Sequence, residues 1–360
     1  MAAVELAWLA CDLLTGAVAE ELPSLHPTQA LSRHLGAVTA LTADLYLGGA
    51  PREWESATDP GRTMVVAVDT ATGDPLWCGL TLGRDGGSGT QVRLSAATPE
   101  AWLDRRYTGT YSATATDQAA IMAAVATPAL ASGPPIVMAT TPTGISSDYS
   151  IADGDDRTIL SVLQEISGLS GGPEWTIEPR WADAAHTRVE LVLRIQAAIG
   201  VQSPQPDAVF ELPGCVSEYA LSESYERGRG ATSVTARGDR ADGVRATSAT
   251  HTDTGLLAAG WGLWEYRWTP AQGITATDQL ESHAAEALAL MGTGSRAWSL
   301  NAVASRSPRL GSAWGLGDSV RLAVASSPRH PAGVDVVARA YAWTLDPAAD
   351  RVAPILLEDA

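Results

Sequence analysis

The sequence predicts an α+β chain that is mainly β: two β-barrel-like domains, an α+β domain between them, and an α/β insertion in the second barrel. Three observations carry this expectation. A strand, turn, long strand, turn, strand pattern occurs near both ends of the chain. The region between the two copies switches to helical spacing with its own caps and breakers. A polar Gln/Pro stretch at Gln202–Asp207 then separates that region from a further set of strands.

In the first copy of the pattern, Thr63–Val68 is an apolar run, Asp69–Pro75 a turn, Leu76–Leu82 a strand, Asp85–Gly89 a Gly-rich turn and Gln91–Leu94 a strand. In the second, Ser319–Val324 precedes the loop Ser326–Gly333, the long strand Val334–Leu345, the turn Asp346–Asp350 and Arg351–Leu357. The turn residues are those that chain reversal requires. Two such modules in one chain suggest a duplicated building block.

Residues 1–110 read as the first barrel. Glu5–Cys11 and Ala17–Leu22 flank a turn at Asp12–Gly16, and Leu41, Ala43, Leu45 and Leu47 alternate with polar positions as in a half-buried strand. Residues 111–205 read as the α+β domain. There Thr116 is placed to cap a helix over Asp117–Ala126 that Pro128 stops, and Asp155 or Asp156 to cap a second helix with Ile159, Leu163 and Ile166 on one face. Glu174–Trp181 and His186–Ile195 read as a hairpin. The second barrel is assigned to 206–240 and 297–360. The insertion, 241–296, holds an aromatic strand Trp261–Trp268 and a helix Thr277–Leu290 capped by Thr277.

Composition narrows the function classes. The chain has 360 residues, a net charge of −17 and no lysine; all 24 basic residues are arginine. Asn301 is the single asparagine and Phe210 the single phenylalanine, against twelve tryptophans. Lys, Asn and Phe have AT-rich codons, so this bias points to a high-GC genome. An acidic, lysine-free surface argues against gripping nucleic acid, which needs clustered cations, but it suits letting DNA pass without sticking. No apolar run is long enough for a membrane span. The start lacks the basic region of a secretory signal, so folding in a cytoplasm is expected. Mean hydropathy is +0.01.

Catalytic, cofactor and metal constellations are not found. The six histidines form no metal-binding pair, and Cys11, Cys78 and Cys215 are isolated and read as buried thiols. No nucleophile elbow or phosphate loop occurs. The acidic run Asp153–Asp156 lacks the ligand spacing of a calcium loop and reads as a helix cap. Glu53/Glu55 and Glu223/Glu226 are the carboxylate pairs open to a glycosidase. Arg237-Gly-Asp239 reads as a strand end with a turn.

Two features suggest interfaces. Arg227, Arg229, Arg237, Arg240 and Arg245 form a basic island, read as a solvated strand face or as a dock for an acidic neighbour. Trp261, Trp264 and Trp268 cluster in the insertion, with core packing, a subunit interface or sugar stacking as the readings.

These residues carry a family likeness. The stretch Ala-Cys-Asp-Leu-Leu-Thr-Gly-Ala-Val-Ala-Glu-Glu-Leu-Pro at 10–23, the segments Pro51–Arg62 and Tyr107–Gln118, and Gly-Gly-Pro-Glu-Trp-Thr-Ile at 171–177 resemble minor tail proteins of long-tailed bacteriophages of high-GC hosts. More broadly, the chain is similar to the tail-hub (baseplate-hub, tail-tip) family. That resemblance implies a homotrimer whose two barrels per subunit make a pseudo-hexameric ring at the virion tail tip. The ring would adapt a sixfold tail tube to a threefold tip and let DNA pass. The implied partners are the distal tail protein, the tape-measure protein and tip or fibre proteins, with no cofactor and no enzymatic role. Because the chain ends at Ala360, right after the last expected strand, no cell-wall-degrading extension is expected. The alternatives are a carbohydrate- or receptor-binding tail module, favoured by the aromatic insertion, and a cell-wall glycosidase.

Overall fold

A computed structural model describes residues 4–169, 171–241, 243–269 and 274–358. The chain is mainly β. Its first sheet runs, edge to edge, Val18–Glu21, Leu6–Asp12, Thr63–Asp69, Pro75–Gly86, Gln91–Ala97, Ala40–Tyr46, Leu25–Pro27. The two edge strands are consecutive in sequence. From Glu21 to Leu25 the chain reaches at most about 14 Å, whereas seven strands laid flat would separate their edges by about 29 Å. The sheet therefore curls until its edges approach.

The second sheet repeats the arrangement: Val209–Leu212, Ser319–Val324, Val334–Asp346, Arg351–Leu357, Ser295–Val303, Val216–Ser224. Again the edge strands, Val209–Leu212 and Val216–Ser224, are joined by a short connection, so this sheet curls as well. Each sheet holds a three-strand meander followed by the strand that precedes the meander in sequence, and then by an earlier one.

The repetition extends to register. In the first sheet Leu80 pairs with Ala97 and Thr81 with Ala96; the register then shifts, and Gly83, Arg84, Asp85 and Gly86 face Ser95, Leu94, Arg93 and Val92. In the second, Arg339 pairs with Leu357 and Ala340 with Leu356. The register shifts at the same place, and Ala342, Trp343, Thr344 and Leu345 face Ile355, Pro354, Ala353 and Val352. The strand beyond agrees: Ala40, Leu41 and Leu45 pair with Ala97, Ala96 and Val92, while Ala297, Trp298 and Ala302 pair with Leu357, Leu356 and Val352. A glycine with positive φ enters each meander. Gly61 (φ 76°) donates to the Thr81 carbonyl and Gly317 (φ 80°) to the Ala340 carbonyl, both at 2.8 Å.

The first long strand covers Pro75–Gly86, beyond the expected end at Leu82. Asp85 and Gly86 read as turn residues, but pairing with Arg93 and Val92 keeps them in the ladder.

Alternation sorts the first sheet's residues between two cores. Every residue of Thr63–Asp69 is buried. Val65 and Ala67, with Trp8, Ala10 and Trp77, join an apolar cluster that continues into the second sheet through Phe210, Trp314 and Trp343. Met64, Val66 and Val68, with Cys11, Cys78 and Leu80, point the other way, onto the middle layer.

That layer holds helices Gln118–Leu130 and Ile159–Ser167, a hairpin of Tyr111–Asp117 with Ser146–Ile151, and a sheet ordered Ile136–Thr140, Val189–Gln196, Glu174–Trp181. The caps differ from expectation. Asp117, not Thr116, caps the first helix, accepting from the Ala119 and Ala120 amides. The helix continues past Pro128 to Leu130, although the ring removes one i→i−4 hydrogen bond there. Thr158 caps the second helix through the Ser161 amide at 3.2 Å, while Asp153–Asp155 forms a short 3-10 turn.

The insertion leaves the second sheet after Ser224 and returns at Ser295. Strand Ser233–Ala241 pairs with Val244–Thr247, His251–Thr252 and Glu265–Trp268, and helix Thr277–Met291 packs on it over a separate core of Val234, Ala236, Ile274, Leu280 and Ala284. Ala276, not Thr277, is the N-cap. Polar contacts tie this helix to the middle layer: Gln279 donates to the Asp148 carbonyl at 2.9 Å, and His283 Nδ1 to the Gly168 carbonyl at 3.0 Å.

One short strand joins the parts. Leu31–His34 follows the edge of the first sheet but pairs with Ala342–Leu345 of the second. Its Arg33, 2% exposed, donates to Glu100 Oε1 (3.1 Å), Thr176 Oγ1 (2.9 Å) and the Ile177 carbonyl (2.7 Å). Glu100 also accepts from the Ile177 amide at 3.1 Å.

Three outcomes follow from these contacts. Glu100→Ala strands a buried guanidinium and should cost about 3–5 kcal/mol, read as a lowered urea midpoint. Gly61→Ala meets open space and should cost only its positive φ, about 1 kcal/mol. Gly317→Ala should cost about 3 kcal/mol or more, because its Cβ would lie 2.1 Å from the Ile199 carbonyl oxygen. Thermal unfolding of the two variants side by side checks this. Finally, burial pushes the His283 imidazole down to about 4. Unfolded chains take up this proton below about pH 6.5 and folded ones only below about 4. Stability of the insertion should therefore fall as pH drops through that window, by up to about 3 kcal/mol, and level off below it. Thermal melts at neutral and mildly acidic pH check it, and His283→Gln should flatten the dependence.

Candidate assembly surfaces

Among the described residues no group of His, Cys, Asp and Glu is arranged to hold a metal ion. The three thiols are buried, and burial pushes Cys11 up to about 12 and Cys78 up as well. Thiols so disposed are poor nucleophiles. Of the carboxylate pairs, Glu53 and Glu55 are exposed on the short helix-bearing loop before the first meander, ion-paired to Arg52 and Arg84. Glu223 is tied to Arg296 and Arg329. In the acidic run, Asp155 is spent on the Ala152 amide at 3.1 Å. Gly238 of the Arg-Gly-Asp tripeptide is buried against the Ile274 carbonyl, so the tripeptide is not displayed on a loop.

A cleft of about 620 Å³ opens where the two curled sheets and the middle layer meet, lined by Arg33, Leu76, Glu178, Arg194, Trp314 and Trp343. Glu178 and Arg194 pair with each other at 3.2 Å, and Arg33 is held by Glu100. Arg33 Nε is buried with no partner among the described residues, and Asp207 and Asp318 also line the cleft, Asp318 accepting from the Val201 and Gly315 amides.

The five arginines do not form one island. Arg227 and Arg229 sit on an exposed turn after Val216–Ser224 and make no ion pair among the described residues. Arg240 and Arg245 face each other across the far end of strand Ser233–Ala241, where Arg240 donates to the Gly243 carbonyl (3.2 Å) and Arg245 to the Gly238 carbonyl (2.9 Å). Arg237 is half-buried on that strand, with its Nε lacking a partner. A nine-residue strand keeps the two groups apart.

The tryptophans also divide. Only Glu265–Trp268 is strand; Gly260, with a φ of 94°, turns the chain into the loop that precedes it. Trp268 stacks on His283 with ring centroids 4.0 Å apart and belongs to the insertion core. Trp261 and Trp264 lie outside it, 38% and 54% exposed, and of the twelve tryptophans they alone are exposed. Both contact the Tyr225 ring, at 5.0 and 5.9 Å, and Gly230 leaves room for that ring where a Cβ would lie 2.4 Å from it. Leu263 beside them is 63% exposed. Sequence reasoning missed Tyr225; the glycines at 260 and 262 were the signal for a loop. Aromatics held rigid in the open, next to unpaired arginines, have the composition of an interface centre. Also overlooked was Leu82, 55% exposed on the long strand of the first sheet and one of several exposed apolar side chains.

No protein-family model and no curated protein matches the sequence. Among solved structures, the chain is similar to the 43 kDa tail protein of prophage MuSo2 from Shewanella oneidensis, with 14% identity, a TM-score of 0.59 and 98% of each chain covered. It is also similar to a tail protein from Neisseria meningitidis MC58, at 12% identity and a TM-score of 0.57 over 98% of this chain and 96% of that one. Prophage tail protein gp18 from Listeria monocytogenes EGD-e aligns at 9% identity and a TM-score of 0.56, over 98% and 94%. At such identities the likeness is one of fold, and it spans the two curled sheets, the middle layer and the insertion together.

Proposed function

We propose that this chain is a structural hub of a bacteriophage tail, three copies of which close a ring at the tail tip. The observation that carries the reading is the internal repeat. Two sheets with the same strand order, the same register shift and the same entry glycine offer two similar docking faces per chain. Closed rings are built from such heterologous contacts. Three chains then present six similar units, which is what joining a sixfold tube to a threefold tip requires. The full-length fold likeness to prophage tail proteins supports the setting.

In this reading the units are 1–110, 111–205, the second barrel, and the insertion; the expected insertion bounds of 241–296 widen, because the chain leaves the second sheet after Ser224, returns at Ser295, and places Ser233–Ala241 in the insertion's own sheet. The neighbours are a distal tail protein above the ring and tape-measure, tip or fibre proteins below. Each copy contributes −17 to the channel's surroundings, and acidic side chains facing the lumen would let DNA slide by like-charge repulsion. The chain acts by assembly, without catalysis.

Light scattering across a concentration series tests the ring. The expected species is 112.5 kDa, three chains of 37.5 kDa. A single 37.5 kDa species, both alone and after mixing with isolated tail tubes, overturns the reading.

A further inference from the structure

One difference between the two sheets points to a contact between copies. In the second sheet, the far half of the long strand, Ala342–Leu345, has a strand on both flanks: Arg351–Leu357 on one side and the grafted Leu31–His34 on the other. The register repeat makes Gly83–Gly86 the counterpart of Ala342–Leu345. Gly83–Gly86 pairs with Gln91–Ala97 on one flank only; among the described residues, no strand pairs with the other. Leu82, just before it, is 55% exposed. Open ladder groups beside exposed apolar surface form a template for strand addition.

The repeat also says which part of the chain would fill the gap. Leu31–His34 lies in the connection between Leu25–Pro27 and Ala40–Tyr46. The equivalent connection in the second sheet, between Val216–Ser224 and Ser295–Val303, is the insertion, and it begins with Tyr225 and the Arg227–Arg229 turn. Within a chain the first unit's connection docks on the second unit. We infer that the second unit's connection docks in the same way on a second copy: Tyr225–Arg229, backed by the Trp261–Trp264 loop, covers Leu82 and the open flank of Gly83–Gly86 of the next subunit.

Charge agrees. Asp85 is exposed without an ion pair among the described residues, as are Arg227 and Arg229. The reciprocal contact is consistent too. Within the chain, Arg309 on the loop before the second meander pairs with Asp69 at the end of the first meander strand. The same operation between copies brings the corresponding first loop, which carries Glu53, to the Ser326–Gly333 turn, whose Arg329 is already paired with Glu223 of its own chain. The inference rests on the ring reading and adds to it which surfaces meet.

Photo-crosslinking of the full chain tests it, with benzoylphenylalanine replacing Leu82. The expected product joins two copies, with the attached peptide falling within 222–264. Asp85→Arg should raise the concentration needed for the trimer by about tenfold, and Arg229→Asp in the same chain should restore it, with unchanged circular dichroism and melting in each variant. A trimer whose Leu82 crosslinks fall elsewhere overturns this contact and leaves the ring standing. A chain that stays monomeric removes both.

Discussion

The architecture depends on one strand serving two masters. Leu31–His34 is covalently part of the first curled sheet and hydrogen-bonded into the second, while its Arg33 is clamped by Glu100 and by the backbone of Glu174–Trp181 in the middle layer. A guanidinium and a carboxylate both removed from water are tolerable only when each is well bonded. That requirement helps fix the distance between three β-systems that also meet through a shared apolar cluster and the Arg309–Asp69 and Arg339–Glu174 pairs. The cleft between them follows from the same constraint, because the strand holds the layers close at one point and lets them diverge around it.

Much of the layout was legible in the sequence, because it is written in local signals. Thr63–Val68 and Ser319–Val324 announced themselves by apolar content, and the turns between them by Gly, Pro and Asp. What was hidden depends on partners far along the chain. Four residues alternating Leu, Ser, Arg and His carry no mark of which sheet will take them. Asp85 and Gly86 look like a turn until Arg93 and Val92 pair with them. Asp156 looked like a cap, yet it adopts a left-handed φ of 49° and leaves the capping to Thr158.

The candidate surfaces were half legible for the same reason. Composition singled out the arginines and tryptophans of 227–268, but composition does not say which face a residue takes. Trp268 went inward to stack on His283, while Trp261 and Trp264 stayed out against Tyr225. The duplicated register was invisible, since the two meanders keep their pairing while sharing little sequence. Leu41 and Trp298 hold equivalent buried positions with side chains of very different size, so the repeat survives as geometry.

The grafted strand also has a mechanical meaning. A ladder loaded along the strand direction shares the load among its hydrogen bonds, so they yield together instead of peeling one at a time. Sliding the first sheet along Leu31–His34 would have to rupture its whole pairing with Ala342–Leu345, and the adjoining Leu35–Tyr341 backbone bond at 3.0 Å, in a single event. The chain is thus stitched where a rope would be spliced: the two halves can transmit a pull without a hinge between them.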